Sequence, residues 1–256
     1  MLGNSLRALS CALMAVVSVA CAAGASAKAS NHSENMKQYI SGGKRITVET
    51  FEPARAGKFP AIVVVHGSNG PVSSFIGDYA QQLADQGYVL AFVHYFDRTG
   101  TRPYPSVALM ERDFPNWVET VRDAITYVEA NPKVEKGNVA LLGISLGGFL
   151  STTVSSFDPR VKAVVDVCGG IPEPVAAKTA HRLPPTLILH GDADPIVPVT
   201  QAYALEALLK RTGTPYEMEI YPGQGHLFRG MAQLDAVTRA LSFLEEHLGA
   251  QTAVAR

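Results

Sequence analysis

Between residues 46 and 248 the sequence alternates between two kinds of segment, and no other feature constrains its fold as strongly. Ala61–His66 (AIVVVH), Tyr88–Tyr95 (YVLAFVHY), Asn138–Leu142 (NVALL), Val161–Val167 (VKAVVDV) and Thr186–His190 (TLILH) are short, rich in β-branched residues and almost continuously apolar. A strand with one wet face alternates apolar and polar residues, whereas runs of this kind suit strands covered on both faces. Ile46–Phe51 (ITVETF) and Tyr216–Tyr221 (YEMEIY) do alternate. We read the first as the start of the sheet and the second as a strand nearer its edge. Ser73–Gln86, Asn116–Ala130, Leu146–Ser156, Val199–Thr212 and Ala232–Leu248 carry apolar residues at helical intervals, and Gly87 and Asn131-Pro132 stop the first two. Strands alternating with helices predict an α/β fold: a mostly parallel sheet flanked by helices on both faces, with reactive groups at the carboxyl ends of the strands.

At 256 residues and 47% hydrophobic the chain can build one sizeable core, and 45–250 is expected to form it. A formal net charge of -1, without a long run of either sign, gives no footing for a nucleic acid. Before the domain, Arg7 is followed by Ala8–Ala27, apolar or small throughout and ending Ala25-Ser26-Ala27. This pattern predicts a signal peptide over 1–27, removal before Lys28, and export to a periplasm or the exterior with no stable membrane span left. A membrane anchor and a lipoprotein signal ending at Cys21 are the alternatives. Residues 28–44 are read as a polar leader. Of the three cysteines only Cys168 lies beyond the presumed signal, so no internal disulfide is expected and a buried, inert thiol is.

The chemistry centres on Gly143-Ile144-Ser145-Leu146-Gly147, which follows one expected strand and opens one expected helix. That setting is what a nucleophile elbow requires: a tight turn lifts the serine clear of the sheet, and glycines let strand and helix approach. A serine hydroxyl needs an adjacent base. Of seven histidines, His226 stands out, in the glycine-rich Gly223-Gln224-Gly225-His226 after the last expected strand. His66 and His190 end strands and read as supports. The imidazole in turn needs a carboxylate to fix its tautomer, and His190-Gly191-Asp192-Ala193-Asp194-Pro195 offers two. Spacing does not choose between them; Asp192 could instead bind backbone amides of the turn. For the oxyanion, the amide of Leu146 and one from His66-Gly67-Ser68-Asn69-Gly70, with Ser68 preferred over Asn69, are the expected donors.

With HGSNG after a strand, GISLGG at the elbow, HGDADPIVP and YPGQGHLF, the chain resembles the dienelactone hydrolase branch of the α/β-hydrolases from about Ile46 to Leu248. The resemblance implies Asp194, the acid before Pro195, as the partner of His226. It also implies a substrate site holding Tyr95 and Arg98, with Arg229 close behind His226; paired arginines would suit an acidic ester. Solvation, or ion pairs with Asp97 or Glu111, is the other reading of those arginines. Two departures stand out: the family's nucleophile is Cys where this chain has Ser145, and its first-loop glutamate is Gly67 here. We therefore expect a general serine esterase acting on a small ester or lactone, without metal or organic cofactor. A peptidase or thioesterase of the same fold and a non-catalytic binding protein are the rivals. Asp97–Pro115 is expected to form a short insertion over the site. The sequence gives no indication of oligomeric state.

Overall fold

The computed structural model describes residues 35–71 and 80–249. The expected signal segment, most of the polar leader before β1, and the first half of Ser73–Gln86 lie outside them; residues 80–85 of the last are helical. Eight strands form one sheet in the order β1-β2-β4-β3-β5-β6-β7-β8. They are β1 (Met36–Ser41), β2 (Lys44–Phe51), β3 (Phe59–Val65), β4 (Val89–Val93), β5 (Val134–Ile144), β6 (Val161–Val167), β7 (Thr186–Gly191) and β8 (Tyr216–Tyr221). β1 and β2 run antiparallel at one edge, and every pair from β4 to β8 is parallel.

The continuous apolar runs divide between the two faces because side chains alternate along a strand. Ala61, Val63 and Val65 of β3 join the cluster under α1 (Val107–Glu129) and α2 (Leu146–Ser155), where Trp117, Val121 and Leu150 are fully buried. Ile62 and Val64 face the opposite way, with Phe243 and Leu244 of α5 (Met231–Leu248). Beside them α4 (Thr200–Thr212) buries Leu205, Leu208 and Leu209 against Ile188, and the short α3 (Glu173–Lys178) lies nearby. A fully buried Leu or Ile stabilises by about 1.5–3 kcal/mol, so both faces of the sheet are held by many such contributions.

Two expectations need correction. The sheet begins at Met36, inside the stretch read as leader. Only Tyr39 and Ser41 of β1 are buried, so an edge strand with such a mixed pattern carries little apolar signal. Gly42 and Gly43 join it to β2 with φ of 49° and 76°, the left-handed pair that a two-residue hairpin turn needs. The expected insertion is also shorter than Asp97–Pro115. α1 starts at Val107, where the Ser106 hydroxyl accepts from the Leu109 amide (3.4 Å), and runs through Pro115. The interior proline removes a hydrogen bond at a cost of about 3 kcal/mol, which the buried stripe from Trp117 to Val128 offsets.

Candidate active site

Ser145 joins β5 to α2 with φ 55° and ψ -119°, a conformation that non-glycine residues avoid at a cost of about 1–3 kcal/mol. Its surroundings leave no alternative. A Cβ on Gly143 would collide with the Gly147 carbonyl, and one on Gly147 would collide with the Val65 carbonyl at the end of β3. The Ser145 amide donates to the Val167 carbonyl (2.8 Å), so the serine is also pinned to β6. Directly behind it, the Leu146 amide opens α2, where first-turn N–H groups lack intrahelical acceptors and carry the positive end of the helix dipole.

The loop after β7 separates the two aspartates by role. Asp192 Oδ1 accepts from the Gly223 amide (2.6 Å) and so ties down the loop that carries His226. Asp194 accepts from the Ile196 and Val197 amides through Oδ1 (2.8 and 3.0 Å) and from His226 Nδ1 through Oδ2 (2.7 Å). Burial alone would raise the Asp194 pKa, but the His226 bond and the two amides outweigh it and hold the carboxylate below its ordinary range. Because a carboxylate only accepts, Nδ1 carries a proton, which in the neutral ring leaves Nε2 with its lone pair. No hydrogen bond joins Nε2 to Ser145 Oγ among the described residues, although Ser145, Asp194 and His226 all follow the carboxyl ends of parallel strands, β5, β7 and β8. His190 donates from Nε2 to the Val197 carbonyl (2.8 Å); burial keeps its pKa low and the ring neutral, a support as expected.

On the other side of Ser145 the loop after β3 forms a turn, closed by Gly70 N–H to Gly67 O (3.1 Å). A Cβ on Gly67 would lie 3.3 Å from Ser145 Cβ and 3.1 Å from Asn69 Oδ1, which places this loop directly against the serine. Ser68 is half-buried, and its carbonyl accepts from the Tyr104 amide (2.6 Å), docking the proline-rich segment before α1. His66 donates from Nδ1 to the Gly67 carbonyl (2.7 Å), and burial pushes its pKa down to about 4.

Three expected substrate residues fare differently. Tyr95 is fully buried: its hydroxyl donates to the His66 carbonyl (2.9 Å) and its ring stacks on His66 at 4.1 Å. It holds the loop after β3 in place and offers no surface to a substrate. Arg98 donates to the Ser41 carbonyl (2.7 Å) and pairs with Glu119 (3.4 Å), under the β1–β2 turn. β1 lies four strand positions from β5, about 19 Å at the usual spacing, so this guanidinium serves the edge hairpin. The two expected alternatives for its partner, Asp97 and Glu111, are not used. Arg229 is exposed, and its described contact is backbone only, from its amide to Gln224 Oε1 (2.9 Å).

Two more residues lie around the elbow: Cys168, buried as expected, and Asp166, which sequence reasoning missed. Cys168 is buried at φ 51°, and its Sγ, the Asp194 carboxylate and a His226 ring nitrogen lie within 4.8 Å of one another. Burial first, then Asp194, pushes its thiol up to about 12, so it is a neutral backing for the pair. Those three side chains are ligating types, as are Glu217, Glu246 and His247 on the surface; in the first set His226 Nδ1 is committed to Asp194. Asp166, fully buried in β6, lies over Gly148 and Gly169 so closely that a Cβ at either would collide with its carboxyl. A single acid inside the run VKAVVDV was the signal.

Residues 46–246 match the family model described as the dienelactone hydrolase family, and the chain belongs to that family. The uncharacterized peptidase YtmA of Bacillus subtilis is 24% identical over 223 residues, covering 74% of this chain and 84% of that one. Acyl-coenzyme A thioesterase 1 of Rattus norvegicus is 27% identical over 132 residues, 50% of this chain but 28% of the thioesterase. Among solved structures, the dienelactone hydrolase-like promiscuous phosphotriesterase P91 from metagenomic libraries superposes with a TM-score of 0.72 at 18% identity, covering 83% and 97% of the two chains. At that identity the likeness concerns the fold.

Proposed function

We propose that this member of the dienelactone hydrolase family is a serine hydrolase of small carboxylic esters or lactones, with Ser145 as nucleophile, His226 as base and Asp194 as the acid that orients it. The observation that carries the reading is the Asp194–His226 bond (2.7 Å), formed beyond the same strand ends as a serine held in the elbow conformation. His226 Nε2 takes the Ser145 proton as Oγ adds to the ester carbonyl, and the Leu146 and Ser68 amides receive the oxyanion. Collapse of the tetrahedral adduct expels the alcohol, protonated by His226. Water then attacks the acyl-serine with His226 as base, releasing the acid and restoring the serine.

Hydrolysis of nitrophenyl acetate by the purified protein, beside Ser145→Ala, tests this. Loss of Ser145 should lower turnover on the order of a millionfold, to background. Equal rates in parent and variant would remove Ser145 from the mechanism. The relatives named for peptide and thioester cleavage favour a second reading, peptidase or thioesterase, which a panel of ester, thioester and amide substrates separates by relative kcat/KM. Failure of a fluorophosphonate probe to label Ser145 would instead point to a binding protein without turnover. We also propose export after removal of residues 1–27, carried by the apolar Ala8–Ala27 segment; the amino-terminal sequence of the protein recovered from its native host tests it. No helix among the described residues is long and apolar enough to cross a membrane.

A further inference from the structure

A cavity of about 360 Å³, with Leu146 in its lining, lies between α1, α2, α3 and α4. Its size falls within the range of small-molecule pockets. Phe114 and Phe149 are half-buried and turn aromatic surface into it, and Ala204 lines it from α4. Only Glu173 and Gln201 are polar among the described lining residues, and Glu173 is exposed. No arginine or lysine is among the described residues that line it.

We infer that this cavity binds the acyl part of the substrate, and that the acyl part is an uncharged aliphatic or aryl group rather than one bearing a carboxylate. The inference rests on the serine-hydrolase reading above and adds a substrate class to it. Its placement follows from proton traffic. His226 must reach the departing oxygen, so the alcohol leaves along the loop 222–230, none of whose residues lines the cavity. Leu146, whose amide would hold the oxyanion, is instead among the residues that line the cavity, which puts the cavity on the acyl side of the serine. Its charge selects against an anion: Glu173 repels one, while Arg98 is committed to the hairpin under Ser41.

Chain length tests the site. Each methylene that enters an apolar cavity should raise kcat/KM by up to about fourfold, from nitrophenyl acetate through butyrate to hexanoate, until the cavity is filled. Ala204→Phe, a change at an exposed helix position, should lower the hexanoate-to-acetate ratio by about tenfold or more. Glu173→Gln should raise the rate on the nitrophenyl monoester of glutaric acid by about two- to fivefold. Binding gives a readout independent of turnover: hexanamide, but not acetamide, should raise the melting temperature of the parent and of Ser145→Ala, and not of Ala204→Phe. That result supports the cavity assignment even if Ser145→Ala hydrolyses esters as fast as the parent, which would overturn only the serine mechanism. A flat chain-length profile with no hexanamide shift overturns the assignment while leaving a serine-dependent acetate hydrolysis intact. Faster hydrolysis of the glutarate monoester than of the hexanoate overturns it as well.

Discussion

Asp166→Asn turns the buried acid beneath the elbow into a measurement. Asp166 is fully buried in β6, beside Gly143 in the parallel register, and neither carboxyl oxygen has a hydrogen-bond partner among the described residues. Burial drives its pKa well above the ordinary value, and the nearby Gly170 amide offsets this only in part. In the unfolded chain the group titrates near 3.9, as model compounds do. Below that pH both states hold the proton, and Asp166 contributes its full stability. As pH rises toward the folded-state pKa, the unfolded chain releases the proton while the native chain keeps it. Stability then falls by up to about 1.4 kcal/mol per pH unit. Asn has nearly the same shape and no proton to lose, so the variant lacks this slope while sharing every other titration. Urea or thermal unfolding of both proteins at pH 4.5, 5.5, 6.5 and 7.5 should therefore show Asp166→Asn gaining on the parent as pH rises. For a domain of this size the gain amounts to about 3–6 °C in melting temperature per unit. A difference that stays constant across the series would mean that Asp166 ionises normally in the native state, and the reasoning would be wrong.

Asp194→Asn deprives His226 Nδ1 of its acceptor and should lower kcat about 10⁴-fold, while Asp192→Asn, which frees only the Gly223 amide, should cost far less; similar losses would unseat the assignment. Tyr95→Phe removes the hydroxyl under the His66 carbonyl and should lower unfolding free energy by about 1 kcal/mol, read from the urea midpoint, with kcat falling more than KM changes. Arg98→Ala should destabilise by about 1 kcal/mol through the hairpin and leave relative kcat/KM across esters unaltered; a loss confined to carboxylate-bearing esters would return Arg98 to the substrate site.

What could be read in the sequence was whatever local geometry forces. The elbow is such a case, because only glycine survives at Gly143 and Gly147 when strand, turn and helix meet this closely, so the motif and its conformation imply each other. The central strands were equally legible, since burial on both faces leaves few positions for a polar residue. β1 was not, because an edge strand can be polar at most positions and its register is set by the Gly42-Gly43 turn and by its partner. α1 begins at Val107 rather than at the expected Asn116, and Pro115 sits exposed on a helix whose buried face holds it in place.

Tyr95 and Arg98 expose a different limit. The structure places their backbones in one four-residue turn after β4, but where a long side chain ends is decided by what the fold brings within its reach. Tyr95 turns inward because a desolvated ring gains most by stacking on His66, and because its hydroxyl then finds the otherwise buried His66 carbonyl. Arg98 reaches the other way, since the Ser41 carbonyl at the hairpin and the Glu119 carboxylate together satisfy a guanidinium that would otherwise be partly buried without acceptors. The same contacts that stabilise the sheet edge thus withdraw a positive charge from the substrate side. The apolar cavity at Leu146, with Glu173 at its margin, is what the fold leaves there, and a neutral acyl group is the chemistry that fits it.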